Sequence, residues 1–183
     1  MSEIRIQRAC EADVPKIRAM IHGLAVYEKL EHVMTATEEQ LRETLFGARP
    51  GAEVLLAAAK QHGIKTLLVS GGFTHVTSLL QPRLGLDYTC ANTLAVENGK
   101  LTGDIIGRIV NSDAKRDELI RVRDALGIRK EQIIGMGDGA NDLPMLREAG
   151  VSVAYHAKPV VRAAASVSFD HVGLDGLLAL FPA

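Results

Sequence analysis

Apolar and polar positions alternate in two distinct rhythms along this chain. Ile4 to Arg8 alternates residue by residue, as a short strand does. Ile17, Ile21, Leu24 and Ala25 then recur at helical spacing, behind Asp13 as N-cap and Pro15 in the first turn. A second helix is predicted at Thr37-Glu38-Glu39-Gln40, where Thr37 and Gln40 can form a capping box, and it should stop at Gly47, before Pro50. From Gly51 the pattern becomes a regular alternation of strand and helix. It predicts a helix over 51–62, a strand over 65–69, a helix over 73–81 and a β-rich stretch over 86–106 folded at Asn98-Gly99 as a hairpin. A long amphipathic helix over 113–126 follows, then a strand at 132–136, a helix at 142–149 and a strand at 151–154. A Pro-started helix at 159–165, a strand at 167–169 and a last helix at 174–181 complete the pattern. Strands separated by helical crossovers imply an α/β fold with a parallel sheet covered by helices on both faces.

The 183 residues are 47% hydrophobic and 23% charged, enough to bury the core of one domain with a small appendage. A formal net charge of -1 gives no electrostatic reason to expect nucleic acid or an anionic membrane as partner. A small polar metabolite suits it better. The N-terminus MSEIRIQRAC has no apolar leader region, and no apolar run approaches the ~18 residues of a membrane span, so the expected location is the cytoplasm. Cys10 and Cys90 are too few and too far apart for a disulfide framework or a cysteine metal site. The six histidines form no H-x-x-x-H pair, and His156 and His171 are expected on loops near the sheet edge.

Chemistry concentrates in two strand-to-helix turns. Gly137-Asp138-Gly139-Ala140-Asn141-Asp142 leaves the C-terminal end of the strand at 132–136, the edge where open α/β sheets bind ligands. Two carboxylates four residues apart can hold a hard cation while glycines let the backbone approach a phosphate. Ser70-Gly71-Gly72 ends the strand at 65–69 and offers a hydroxyl and backbone N–H groups to an anion, although the same tripeptide also serves as a plain βα turn. Lys115, near the start of the long helix, is unfavourable for the helix dipole and is a candidate for neutralising a phosphoryl group; a solvated surface lysine is the alternative.

Through LLVSGGFT, LGLDYTCANTL, NGKLTG, DAKRDEL, GMGDGANDLPML and YHAKPVVRA, residues from about 50 to 181 resemble the phosphoserine phosphatase branch of the haloacid dehalogenase superfamily. The resemblance implies a three-layer Rossmannoid core and Mg²⁺-dependent hydrolysis of a small phosphorylated metabolite such as phosphoserine. It also implies roles: Ser70 and the Gly71 amide, with Gly72, on the substrate phosphate; Lys115 as the catalytic lysine; Asp138 as a metal ligand; Asn141 and Asp142 supporting substrate and metal. That family also needs a D-x-D-x-[TV] motif whose first aspartate attacks phosphorus and whose second is the general acid and base. No two aspartates here are spaced i, i+2, and the nearest acidic pair is Glu11-Ala12-Asp13. The family's cap domain is absent too. The first 57 residues resemble instead the start of a GNAT-type N-acetyltransferase, through Ile4-Arg5, LAVYEKLEH, TATEEQLRETLFG and AEVLLA, but without that family's Q/R-x-x-G-x-G/A acetyl-CoA loop. Tyr27, Glu28 and His32 then read as packing and surface residues of a fused fragment.

The organisation expected is therefore 1–50 as a strand plus two helices and 51–183 as the phosphatase-like core. Loss of the first strand would leave backbone groups unpaired between the strands carrying Ser70 and Asp138. Ile4 to Arg8 is expected to fill that place, with the helices standing in for the cap; strand exchange in a homodimer is the competing solution. Three outcomes stay open on sequence: a scaffold with weak or no turnover, a phosphatase using Glu11 or Asp13, and a non-catalytic chimera or pseudoenzyme that binds phosphate or metal.

Overall fold

The computed structural model describes residues 9–27, 37–46 and 51–181. The chain divides into two compact units, Met1–Pro50 and Gly51–Ala183.

In the first unit, a 3₁₀ turn Glu11–Asp13 leads into α1 (Val14–Tyr27), and α2 (Glu38–Phe46) follows. Asp13 does not cap α1 as expected. It sits at the third position of the 3₁₀ turn, and its carboxylate reaches back to accept from the Cys10 N–H at 2.8 Å. The turn inserts itself ahead of the helix and makes Cys10 the cap position. At α2 the capping box forms: Thr37 N–H donates to Gln40 Oε1 at 2.9 Å, and Gln40 N–H donates to Thr37 Oγ1 at 3.2 Å. The strand read at 4–8, the residues Glu28 and His32 and the stop at Gly47 lie outside the described residues, as does the side chain of Tyr27.

The second unit alternates α3 (Gly51–Gln61), β1 (Leu67–Phe73), α4 (Thr74–Leu84), β2 (Tyr88–Glu97) and β3 (Lys100–Ile106). It continues with α5 (Ser112–Leu126), β4 (Ile134–Gly137), α6 (Leu143–Leu146), β5 (Val151–Tyr155), α7 (Pro159–Arg162) and β6 (Val167–Phe169), then a 3₁₀ segment Leu174–Leu180. Helical crossovers make β1 and β2 parallel, and likewise β4, β5 and β6. β2 and β3 form the predicted hairpin, with Asn98 and Gly99 at φ 51° and 74° closing Glu97 onto Lys100.

Side chains on β5 alternate between two cores. Ala154 joins Leu119, Met145, Leu146, Ala157 and Val161, while Val153 joins Phe169 and Leu177 with Leu55 of α3 packed against them. Helices therefore cover both faces of this sheet, and the period-2 geometry of a strand requires both sides of β5 to be apolar. Leu67 of β1 and Ile133 before β4 pack on the first of these cores.

Among the described residues the strands pair as two three-stranded groups, β1-β2-β3 and β4-β5-β6, and the strand expected at 4–8 lies outside the described residues. Among the described residues no strand pairs the second edge of β1 or of β4.

Candidate functional site

The C-terminal end of β1 is bulged. Its register with β2 slips between Val69 and Phe73, so Ser70, Gly71 and Gly72 continue the strand and α4 starts only at Thr74. The glycines consequently lie outside the first helical turn, contrary to the expectation of a helix N-terminus at 73. Ser70 Oγ accepts from the Gly72 N–H at 3.0 Å, leaving the hydroxyl proton free to donate outward. The bulge is held from behind by Asn92, which is 5% exposed. Its Nδ2 donates to the Gly71 carbonyl at 2.7 Å, and its Oδ1 accepts from the Val110 N–H at 2.8 Å. One buried amide thus ties the Ser70 loop to the segment leading into α5. Local spacing does not mark Asn92 as a site residue. A lone carboxamide in the otherwise small and apolar run Thr89-Cys90-Ala91-Asn92-Thr93-Leu94 was the available signal, since a buried amide needs partners.

Asn111 caps α5 by accepting from the Ala114 N–H at 2.9 Å, which sets Lys115 one residue further into the first turn. Lys115 is 7% exposed, so it is not a solvated surface lysine. Its ammonium donates to Asp142 Oδ1 at 2.7 Å, and Asp142 is itself 5% exposed. Asp142 Oδ2 accepts from the Asp138 and Gly139 N–H groups, both at 3.2 Å. Three donors therefore occupy this carboxylate, which closes the Gly137–Asp142 turn onto itself and onto α5. Gly137 allows that closure: a Cβ there would stand 2.6 Å from Asp142 Cβ.

Asp138 is placed differently. Its side chain is exposed at the end of β4 and has no partner among the described residues. Asn141 is exposed in the same turn. The Asp138 carbonyl accepts from the Lys158 N–H at 3.0 Å, which links this turn to the segment after β5. His156 lies in that segment, as expected, and His171 follows β6.

No group of three or more His, Cys, Asp or Glu side chains among the described residues could enclose a metal ion. Mg²⁺ does not need such a group, because it is held by one or two carboxylates together with waters and substrate phosphate. Asp138, exposed and without a side-chain partner among the described residues, fits that requirement, while Asp142 also accepts from Lys115 and two backbone N–H groups. When bound there, Mg²⁺ would supply charge neutralisation for a phosphate oxygen. The chain's own groups orient that position: Asp142 fixes the turn, Lys115 fixes Asp142, and Asn92 fixes the Ser70 loop.

An α/β fold with parallel strands and glycine-containing loops at their C-terminal ends is an arrangement in which such sheets bind ligands. The family model for haloacid dehalogenase-like hydrolase matches residues 5–147. Phosphoserine phosphatase of Albidiferax ferrireducens is 49% identical over 156 residues, covering 83% of this chain and 66% of that protein. The solved phospho-aspartyl intermediate analogue of phosphoserine phosphatase is 36% identical with a TM-score of 0.68, covering 73% of this chain and 64% of that one. Phosphoserine phosphatase in apo form superposes with a TM-score of 0.70 at 29% identity, covering 94% and 92% of the two chains. The chain belongs to the haloacid dehalogenase-like hydrolase family. It spans two thirds or less of the length of the curated phosphoserine phosphatases it matches.

Proposed function

We propose that this chain is a phosphoserine phosphatase-like scaffold that binds a small phosphate monoester and Mg²⁺ but lacks the aspartyl nucleophile, so that turnover is weak or absent. The observation that carries the reading is the pair of loops just described. Ser70, Gly71 and Gly72 would face the phosphate, Asp138 would hold the cation, and Asn141 would flank the ligand. Lys115 and Asp142 act on this reading as a buried brace for the site. The related phosphatase was solved as an analogue of a phospho-aspartyl intermediate, so in that protein an aspartate takes the phosphoryl group. Here no D-x-D pair exists in the sequence, and Asp13 spends its carboxylate on Cys10. Losing one member of a covalent catalytic set costs on the order of 10⁴ in rate or more.

The acetyltransferase-like start of the chain adds no activity on this reading, because the acetyl-CoA loop has no counterpart. The hydrolase-family match begins at residue 5, which supports reading residues 1–50 as part of the hydrolase-like chain whatever their ancestry. A homodimer is the partner proposed, on the ground of the edges of β1 and β4 that no strand among the described residues pairs. No helix among the described residues is long and apolar enough to cross a membrane, and the free thiols of Cys10 and Cys90 are consistent with a cytoplasmic setting.

The test is release of phosphate from phosphoserine with and without Mg²⁺, beside Asp138→Ala, together with calorimetric titration of inorganic phosphate and MgCl₂. Binding without turnover is the expected result. Activity that Asp138→Ala abolishes would show that a nucleophile is available after all. Absence of binding at millimolar ligand would leave an inert chimera.

A further inference from the structure

We propose that Asn92 is a positioning residue for anion binding that acts on the Ser70 hydroxyl through the peptide group between Gly71 and Gly72; the proposal rests on the phosphate reading above. The contacts form a continuous chain. Asn92 Nδ2 donates to the Gly71 carbonyl at 2.7 Å, and the N–H at the other end of that same peptide group, that of Gly72, donates to Ser70 Oγ at 3.0 Å. Resonance couples the two ends of a peptide group, so a bond accepted at its oxygen makes its N–H a stronger donor. Ser70 Oγ receives that stronger bond and becomes in turn a better donor through its own O–H. The Ser70 proton has no acceptor among the described residues, so it is the open end of the chain and the end an anion would meet.

The direction of this chain is built in. Asn92 is 5% exposed, and its Oδ1 is already taken by the Val110 N–H at 2.8 Å. An N–H can bond only the oxygen of a carboxamide, so Val110 decides that the nitrogen faces Gly71. Aspartate in this place would set a second acceptor against the Gly71 carbonyl, and an aliphatic side chain would make neither bond. Asn92 stands in register with Phe73, so β2 delivers the amide to the bulge at which β1 slips. Gly72 contributes by lacking a side chain: a Cβ there would stand 3.1 Å from Ser70 Oγ, crowding the hydroxyl that must close onto its N–H. Val110 runs directly into Asn111, the cap of α5, so the amide is anchored on the element that carries Lys115. Away from water, each bond in such a chain polarises the next, and its effect at the open end exceeds that of an isolated bond.

Isothermal titration of inorganic phosphate, in MgCl₂, into wild type, Asn92→Leu, Asn92→Ala, Ser70→Ala and the two double variants tests the proposal. Leu fills the space that Ala leaves open, so these two will differ in melting temperature, yet both lack the Nδ2 donor. Each is expected to bind phosphate about three- to tenfold more weakly than wild type, the worth of one hydrogen bond. In the Ser70→Ala background the same substitutions should change affinity by less than about twofold, because the hydroxyl through which Asn92 acts is gone. Wild type gives a readout that needs no variant: in proton NMR at phosphate saturation, the Asn92 Nδ2 protons should move downfield together with the Gly72 amide proton, as the chain tightens. Unchanged affinity in Asn92→Leu overturns the role of Asn92 and leaves the phosphate site standing. So does a loss that persists undiminished in Ser70→Ala, a loss that follows melting temperature, or a set of Nδ2 protons that stays in place in saturated wild type. Failure of wild type to bind phosphate removes the site itself, and the role of Asn92 with it.

Discussion

Replacing Lys115 by Met keeps most of the side-chain bulk and removes the ammonium that lies 2.7 Å from Asp142 Oδ1. The two side chains retain only 9% and 7% of their exposure, so water cannot replace the lost partner. Two unit charges at that separation attract by about 6 kcal/mol at an effective dielectric of ~20, a gross figure largely offset by the desolvation of both ions. Breaking such a pair from one side leaves a buried carboxylate unpaired, which costs about 3–5 kcal/mol. Because Asp142 Oδ2 also holds the Asp138 and Gly139 N–H groups, the strain falls on the site turn itself. The expected readout is a urea midpoint shift at unchanged slope and a melting temperature lower by roughly 10–15 °C. Asp142→Asn and the double variant complete a cycle in which the sum of the single losses should exceed the double loss by about 2 kcal/mol. A single-variant loss under about 1 kcal/mol, or additive losses, would mean that Lys115 is not a brace.

Two further outcomes follow from local geometry. Gly137→Ala places a Cβ 2.6 Å from Asp142 Cβ, so the turn must open; a stability loss of about 1–3 kcal/mol is expected in urea unfolding, and no loss would show that the turn has slack. Asp87 is held below the usual carboxylate range, first by the hydrogen bond from Lys65 and also by the Thr66 N–H and hydroxyl. A carboxylate whose folded pKa is depressed contributes stability above its unfolded value of about 3.9, and that contribution disappears as pH falls through the folded value. The urea midpoint of wild type should therefore fall more steeply below about pH 4 than that of Asp87→Asn, and identical acid profiles would refute the assignment.

Most elements of the unit Gly51–Ala183 were legible in the chain because their signals are local. Asn98-Gly99 supplied the two left-handed residues that a tight hairpin requires, and Pro159 opened α7 where a missing N–H costs nothing. Boundaries moved where another part of the fold competed for the backbone. Thr66 gives its N–H to Asp87 instead of joining β1, and β1 runs on to Phe73 because that residue pairs with Asn92. The helix read at 142–149 shortens to Leu143–Leu146, since Asp142 is drawn back into the turn and Glu148 and Ala149 close 3₁₀-type bonds. The last helix is likewise a 3₁₀ segment.

The amino-acid order alone determined the alternation of strand and helix, the two loops at strand ends and the lack of a D-x-D pair, because each is a property of spacing along the chain. Only the tertiary structure showed which partner Lys115 has. From local sequence an exposed lysine and a catalytic one look alike, and the buried carboxylate that claims it lies 27 residues away. The same holds for Asn92 and Lys158, whose partners Gly71, Val110 and Asp138 are neighbours in space but distant in sequence. Long-range pairing also decided that, among the described strands, β1 lies beside β2 and β4 beside β5, since a strand's pattern of side chains says which face is buried and nothing about who sits beside it.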